Sequence, residues 1–578
     1  MKKKNRPGCI VFIVFITIIA CVAITFLIVF RLLPHKTESG VGQTESKKED
    51  GIVQNAYIIS TQDDKIQYLY KGQTYQLPGH MDTPYEGIAD IEITQDKISH
   101  IYTKPDRIEG VLESYTDEQM EVRDYGMLER EAEIPVYISE NGTVREGTLT
   151  DLIVGSSNVN YVLAYHRIQA ILVNEETVAK NIRVVIKNDT AIEYPQLYLK
   201  SDSSCQISYE NELFRIDGEN ILDCGKFLDE HGTGKIKIVS EGEGMYICDA
   251  SGNNISNSYP DTIYCIRTEN GIVMVNQLPI EEYVKRVLPS EMPQQFGLEA
   301  LKAQAVCART YAYSQLKNDQ YAMYGANVDD STAFQVYNKA GKSEITDQAG
   351  NETSGQIAVY QGNPITCYYC STNPGVTEDY ELWQNEEERG NSQGNPEYLQ
   401  KKYETSENPG DLSDENCFQK FIDSAPDSYD SVSPFYRWTA KLDLKGGADS
   451  ELGKAQSISI LQRSTNGYVL CLKIQYEKGE KTFYEENEIR NILGHMLQNV
   501  VLSNGKERTD LTLIPSACFY IASFEDGHYI LKGGGFGHGI GLSQYGASAM
   551  AGQGMTYEDI MKFYYSGIEL MEISKFSD

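Results

Sequence analysis

Histidine is scarce in this chain, with 8 residues in 578. No H-E-x-x-H run occurs, which excludes the paired-histidine helix of a zinc protease or zinc amidase. Positive charge is short as well: 51 Lys and Arg stand against 83 Asp and Glu, a formal net charge of -32. That balance repels phosphate backbones and anionic lipid, so nucleic acid is not an expected partner. Heptads and solenoid-type repeats are missing, which removes coiled coils and repeat arrays. The single C-x-x-C spacing, Cys367-Tyr-Tyr-Cys370, has no second pair nearby, so two cysteines on a strand is preferred to a zinc or redox site. No Gly-Lys-Ser/Thr follows the glycines after Gly533, and a phosphate loop is not supported.

The largest apolar run is Cys9 to Phe30, 22 residues without charge, preceded by Lys2, Lys3, Lys4 and Arg6. At about 1.5 Å per residue such a helix crosses a hydrocarbon core of about 30 Å. The flanking cations keep the N-terminus in the cytoplasm and export the chain beyond Arg31. The alternative, a cleaved signal peptide, has a shorter apolar region of about 7–15 residues and a small-residue cleavage site, and neither fits. The expected location is therefore the cell membrane, single-pass, with the ectodomain on the wall side. Ten of the 12 cysteines lie outside this segment. Export permits disulfides, and Cys205/Cys224 and Cys248/Cys265 are near enough in sequence to pair.

The expected fold class is α+β: a membrane anchor, β-rich N-terminal domain or domains, then a mixed α+β catalytic domain. Residues 1–33 form the cytoplasmic tip and anchor, and 34–51 a polar, flexible stalk. Short alternating runs such as Ile66-Gln-Tyr-Leu-Tyr70, separated by turn residues, make 52–180 a β-rich accessory domain. A single mixed region spans 181–570, with an acidic, Ser- and Asn-rich loop insertion near 404–430, and 571–578 is a tail. Helices are predicted at Glu485–Leu493, Ser543–Gly552 and Tyr557–Tyr565.

Three clusters carry chemistry. In the first, Leu288-Pro-Ser-Glu-Met-Pro293 precedes Leu298-Glu-Ala-Leu-Lys-Ala-Gln-Ala-Val-Cys-Ala-Arg-Thr-Tyr311, a run of good helix formers. Leu298, Leu301, Ala305, Ala308 and Ala312 give that helix one narrow apolar face. Glu291 sits in a Pro-bounded turn at the helix mouth, aimed at one substrate atom. Lys302 and Arg309, seven apart, share a face and either orient Glu291, hold substrate or form a surface salt bridge. Glu281 and Glu282 either assist or lie on a solvated turn. The second cluster is Gly533-Gly-Gly-Phe-Gly-His-Gly-Ile-Gly-Leu-Ser-Gln-Tyr-Gly-Ala547, where alternating glycines let backbone approach a ligand closely around His538; a tight packing corner is the alternative. The third, Ser371-Thr372-Asn373-Pro374-Gly375-Val376-Thr377-Glu378 with Trp383, suits sugar hydroxyls and ring faces, or an ordinary turn.

Together these residues resemble the SpoIID/LytB family, the sporulation stage II protein D and amidase-enhancer proteins. The ordered match covers about 181–570 and includes Leu278-Pro-Ile-Glu-Glu-Tyr283, Val287–Pro293, Glu299–Tyr311, Asp330-Ser-Thr-Ala-Phe-Gln-Val-Tyr337, Ser371–Glu378, Ser433-Pro-Phe-Tyr-Arg-Trp438 and the Gly-His-Gly run. The resemblance implies a lytic transglycosylase that cleaves the MurNAc–GlcNAc bond of peptidoglycan without water and leaves a 1,6-anhydro sugar. It implies glycan strands stripped of stem peptides as substrate, a partner amidase in an engulfment-type complex, and Glu291 as catalytic acid. His538, Gln544, Tyr545, Ser371, Thr372, Glu378, Lys302, Arg309 and Gln335 are the expected substrate-binding residues. No cofactor is expected. Clostridial sporulation members carry a His/Cys zinc cluster just before the Gln-Val-Tyr segment; Tyr324–Phe334 here has no Cys or His, so no metal is expected. The alternative function is a non-catalytic wall-binding enhancer of an amidase.

Overall fold

Period-two alternation dominates residues 51–173, and they fold as strands. The computed structural model describes residues 50–576 apart from 141, 175–178, 190, 385–395 and 526. The apolar run at 9–30 and the polar stretch to residue 49 lie outside the described residues. Among those described, no helix is long and apolar enough to cross a membrane.

One antiparallel sheet has the order Gln73–Pro78, Lys65–Tyr70, Gly51–Gln62, Gly87–Thr94, Lys97–Thr103, and buries Ala56, Ile58, Ile66, Tyr68 and Ile91. A second has the order Thr143–Gly147, Val136–Glu140, Arg167–Val173, Val159–Ala164, Arg107–Glu109. The short strands Leu112–Tyr115, Gln119–Val122 and Gly126–Glu129 share its core.

From residue 181 the chain builds a larger sheet in the order Glu212–Ile216, Cys205–Tyr209, Lys235–Ser240, Thr262–Arg267, Ile272–Pro279, Asn181–Ile186, Val328–Asp329. Ile272–Pro279 runs directly into the helix Ile280–Glu291, and a 3-10 turn at Gln294–Phe296 leads into the helix Leu298–Gln315. A C-terminal sheet, in the order Glu507–Arg508, Leu497–Leu502, Trp438–Asp443, His528–Gly533, Phe519–Glu525, has a separate core around Trp438, Leu472 and Phe519. The mixture of sheets and helices is the α+β class expected.

Three expectations are corrected. The helix Leu298–Gln315 is not apolar on one narrow face. Ala300, Ala303, Ala305, Ala308 and Ala312 are buried together with Gln304, Arg309 and Thr310. Its small side chains let neighbours pack on almost every side, which a one-face reading of periodicity does not anticipate. The stretch 404–430 is not a loop insertion. It contains the helix Glu415–Ser424, capped by Asp414, and buries Glu404 and Asp430 completely enough to leave each under 4% exposed. These two acids are hydrogen-bonded into the core, Glu404 by the Tyr564 hydroxyl and Asn373, Asp430 by Ser543 and the Asn373 amide. Cysteines do not pair as sequence neighbours. The helix that starts at Cys224 packs over the strand Thr262–Arg267, so Cys224 faces Cys265 with sulfurs 3.7 Å apart, and the ten described cysteines are free thiols.

The accessory part is joined to the rest by a buried ion pair. Arg183, 2% exposed, donates to a Glu113 carboxylate oxygen at 2.8 Å, to the Glu113 carbonyl at 3.1 Å and to Gln277 at 2.8 Å. Burial pushes the Glu113 carboxyl up, but Arg183 and Arg123 outweigh it and hold it below the usual range. Ala322 packs into the accessory core, and Gly325 sits so close to the Glu113 carbonyl that a Cβ there would clash. Replacing Glu113 with Ala strands a buried guanidinium, and a loss of about 3–5 kcal/mol is expected. Equilibrium unfolding at neutral pH measures it. The depressed carboxyl stabilises fully above its unfolded value of about 4.3, and this stabilisation is lost as pH falls through the lower folded value, so the difference from wild type shrinks in acid.

Candidate functional site

Glu291 is the last residue of the helix Ile280–Glu291, not the entrance of the next one. Pro289 removes an N–H from the last turn, and Met292 ends the helix with extended backbone. This position reverses the expected electrostatics. The amino end of a helix favours a carboxylate, whereas the carboxyl end disfavours it. Burial and dipole therefore act in the same direction. Burial is the larger cause and lifts the Glu291 carboxyl to about 7, against hydrogen bonds from the Val336 amide, Tyr369 and Gln544 that favour the charged form.

Each donor is held in place. Residues 336–340 wrap the helix end: the Asn338 amide donates to the Arg286 carbonyl at 3.2 Å, and the Lys339 amide to Ser290 Oγ at 3.0 Å. That fixes the Val336 amide 2.6 Å from Glu291 Oε1. Tyr369 and Gln544 arrive together because Tyr369–Cys370 pairs in parallel with Leu542–Ser543, and Ser543 caps the helix Gln544–Gly552. Behind Tyr369 a hydrogen-bond chain has one direction. The Tyr283 hydroxyl donates to Gln335 Oε1 at 3.2 Å, and Gln335 Nε2 donates to the Tyr369 oxygen at 3.0 Å. The Tyr369 proton is thereby left for Glu291. Gln544 in turn donates to the fully buried Gln304 at 3.5 Å.

The carboxyl opens onto a cleft of about 810 Å³. Tyr368, Trp383, Phe334 and Phe536 give it aromatic walls, while Ser371, His538 and Gln544 add polar groups. His538 Nδ1 accepts from the Ile540 amide at 3.0 Å, and its ring lies 5.1 Å from that of Trp383. Burial drives its pKa down to about 4, so it is neutral at physiological pH. The glycine bracket has a steric reason. Gly539 and Gly541 have φ of 80° and 74°, and a Cβ would strike the Tyr468 hydroxyl or the Tyr368 carbonyl. The loop is clasped to the 371–378 turn by paired amide–carbonyl bonds between Thr372 and Phe536 and by the Glu378 amide on the Gly539 carbonyl. All three sequence clusters meet here.

Several expected binding residues do not line the cleft. Arg309 is fully buried and grips Glu281 with two bonds of 2.8 Å. Lys302 bonds Glu299 at 2.9 Å and Glu352 at 2.6 Å. Seven residues along a helix put both on the face that meets the helix Glu344–Glu352, away from Glu291. Glu281 and Glu282 are ion-paired too, Glu282 with Arg286 and Lys342. Glu378 is buried against Ser464 and Asn466, and burial followed by Asp379 raises it to about 8. Thr372 bonds Ser433 at 2.7 Å, and Tyr545 packs edge-on against Phe296. Gln335 acts one step back, through Tyr369. Sequence reasoning missed Tyr368 and Tyr369, whose only signal was the aromatic pair inside the C-x-x-C run. In Tyr324–Phe334, Asp329 accepts from Tyr321 and Ser331, and Asp330 pairs with Lys339, so both acids have protein partners.

Comparison with known proteins bears on this arrangement. The "Stage II sporulation protein" family model matches residues 268–360, which contain Glu291, and a "Domain of unknown function" model (DUF8618) matches 386–541. The stage II sporulation protein D of Bacillus subtilis is 30% identical over 342 residues, covering 55% of this chain and 81% of that protein. The chain belongs to the stage II sporulation protein D family. An amidase enhancer of Bacillus subtilis is 34% identical over 308 residues, 50% of this chain and 40% of the relative, so the likeness spans less than half of that protein. An uncharacterized protein of Brachyspira hyodysenteriae is 30% identical and covered to 73%.

A raised acid destabilises the fold when it ionises. Between its unfolded value of about 4.3 and its folded value of about 7, the folded state holds a proton the unfolded state has released. Stability from this group therefore falls as pH rises through that window. Glu291→Gln is expected to unfold at higher temperature than wild type at pH 8.5, by at most about 4 kcal/mol in stability, with the gap closing near pH 4. Calorimetry at the two pH values checks both size and sign.

Proposed function

We propose that the chain is a membrane-tethered lytic transglycosylase of peptidoglycan, with Glu291 as its acid and base. The observation that carries this reading is a carboxyl raised to about 7, without a cation partner, at an aromatic-lined cleft. The other acids lining the cleft are ion-paired, Glu486 with Arg490 and Asp510 with Arg508. A hydrolase of the usual kind needs two carboxylates in distinct roles. A reaction whose nucleophile is the sugar's own C6 hydroxyl needs only one.

The protonated Glu291 donates to the oxygen joining MurNAc to GlcNAc, and the bond from that oxygen to C1 breaks. The C6 hydroxyl of the same MurNAc attacks C1, and its proton returns to the Glu291 carboxylate. The Val336 amide, Tyr369 and Gln544 stabilise the carboxylate between these steps. Tyr368 and Trp383 supply flat faces for sugar rings, and Ser371 and His538 supply polar contacts. Tethering through residues 9–30 places the cleft on the wall side, in sporulation or in wall remodelling.

The name of the amidase-enhancer relative supports a second reading, a glycan-binding partner that stimulates an amidase without cleaving the strand. Purified protein incubated with glycan strands separates the two by mass analysis of released sugars. Wild type is expected to release 1,6-anhydro products and Glu291→Gln none; binding and amidase stimulation without anhydro product in either would establish the enhancer instead. Activity is expected to fall above about pH 7 as Glu291 loses its proton. Tyr369→Phe removes a donor to the carboxylate, so that alkaline limb should move to higher pH, a direction that simple loss of packing does not produce.

A further inference from the structure

The segment matched by the domain of unknown function carries part of the cleft lining, including the His538 loop. Its helix Glu486–Gly494 presents Glu486, Asn487 and Arg490 to the cleft, next to Leu511–Leu513 of the same segment. Arg490 is the one Lys or Arg among the residues that line it. The guanidinium is immobilised from behind: Nε donates to the Ile514 carbonyl at 3.1 Å and Nη1 to Glu486 Oε1 at 2.8 Å. Its side chain is 12% exposed. Nη2 has no partner among the described residues. Arg490 acts electrostatically on both His538 and Cys370, and its partner Glu486 acts the other way on His538. A planar cation fixed at two nitrogens, with a third edge open to a cleft, is a preorganised receptor for a carboxylate.

We propose that this segment is the substrate-reading wall of the site and that Arg490 receives the carboxylate of an acidic sugar in the strand. The inference rests on the glycan reading above. A chain with a net charge of -32 repels an acidic polymer unless a local cation offsets the field. Glu291, which lines the same cleft, is partly protonated near neutral pH and adds less repulsion than an ordinary carboxylate. In a muramyl strand the acidic group is the 3-O-lactyl carboxylate. It is ionised only where no stem peptide is attached, because attachment converts it to a neutral amide. Arg490 therefore discriminates by charge between bare and peptide-bearing sugars.

The test uses the full chain carrying Glu291→Gln, so that binding is read without turnover. The probes are GlcNAc–MurNAc oligosaccharides with the lactyl group as free acid or as methyl ester. The acid is expected to bind about tenfold more tightly than the ester, as one charge-assisted bond would give. Adding Arg490→Gln should bring the ratio to near one, and Arg490→Lys, which keeps the charge and loses the fork, should leave it between. Equal binding of acid and ester with Arg490 intact overturns the inference and leaves the glycan reading standing, and this comparison needs no variant of the wall. A ratio unchanged by Arg490→Gln overturns the assignment to Arg490. Binding of neither probe overturns the glycan reading and this inference with it.

Discussion

A carboxyl kept away from every cation is the constraint around which this fold is arranged. Four cations stand on the two helices that flank Glu291, and three of them are taken by other acids. Arg309 holds Glu281, Arg286 holds Glu282, and Lys302 bridges Glu299 and Glu352. Excess negative charge in the chain makes this possible, because acids outnumber the cations available to them. Glu291 is left with neutral donors only. Neutral donors stabilise a carboxylate without locking it in that state as an adjacent Arg would, and the acid–base role proposed for Glu291 needs that balance.

Position along the helix completes the effect. Had Glu291 stood at the amino end of Leu298–Gln315, exposed N–H groups would have drawn its pKa down. At the end of Ile280–Glu291 it faces the carbonyl end, and the wrapping segment 336–340 supplies a single amide at 2.6 Å. That segment is in turn continuous with 321–334, which rests on the accessory part through Ala322, Gly325 and the Arg183–Glu113 pair. The β-rich module is thereby more than a spacer: its buried contact lies on the path by which the Val336 amide is held against the acid.

Local composition made several features legible in the sequence. Helix formers from Leu298 onward, the capped runs after Ser543 and Thr556, and the alternating strands before residue 180 all fold as their residues dictate. The acid itself was legible from its proline-bounded motif, and so was the glycine bracket at His538, because positive φ and close approach leave a compositional trace. The rest was set by tertiary partners. Nothing local distinguishes Lys302, which pairs with an acid about fifty residues away, from a lysine that binds substrate. Glu404 and Asp430 look solvated until Tyr564 and Ser543, well over a hundred residues later, are placed against them. Gln335 was legible as a site residue, but its role one bond removed from the acid depends on Tyr369, which only the parallel pairing with Leu542–Ser543 brings into place.

The cleft is built from two sides. The family segment at 268–360 supplies the acid, and the segment at 386–541 supplies Glu486 to Arg490, Asp510 to Leu513 and the His538 loop. A single carboxyl with a general acid–base role cannot by itself tell one sugar from another, since every glycosidic oxygen presents the same lone pairs. Selectivity must come from groups that touch what differs between the sugars. Aromatic faces such as those of Tyr368 and Trp383 are indifferent to ring substituents, whereas a fixed guanidinium such as that of Arg490 in the same cleft would respond to charge. In the proposed reading, reaction chemistry and substrate choice reside in different stretches of one chain, joined where the 371–378 turn and the glycine loop are hydrogen-bonded to each other.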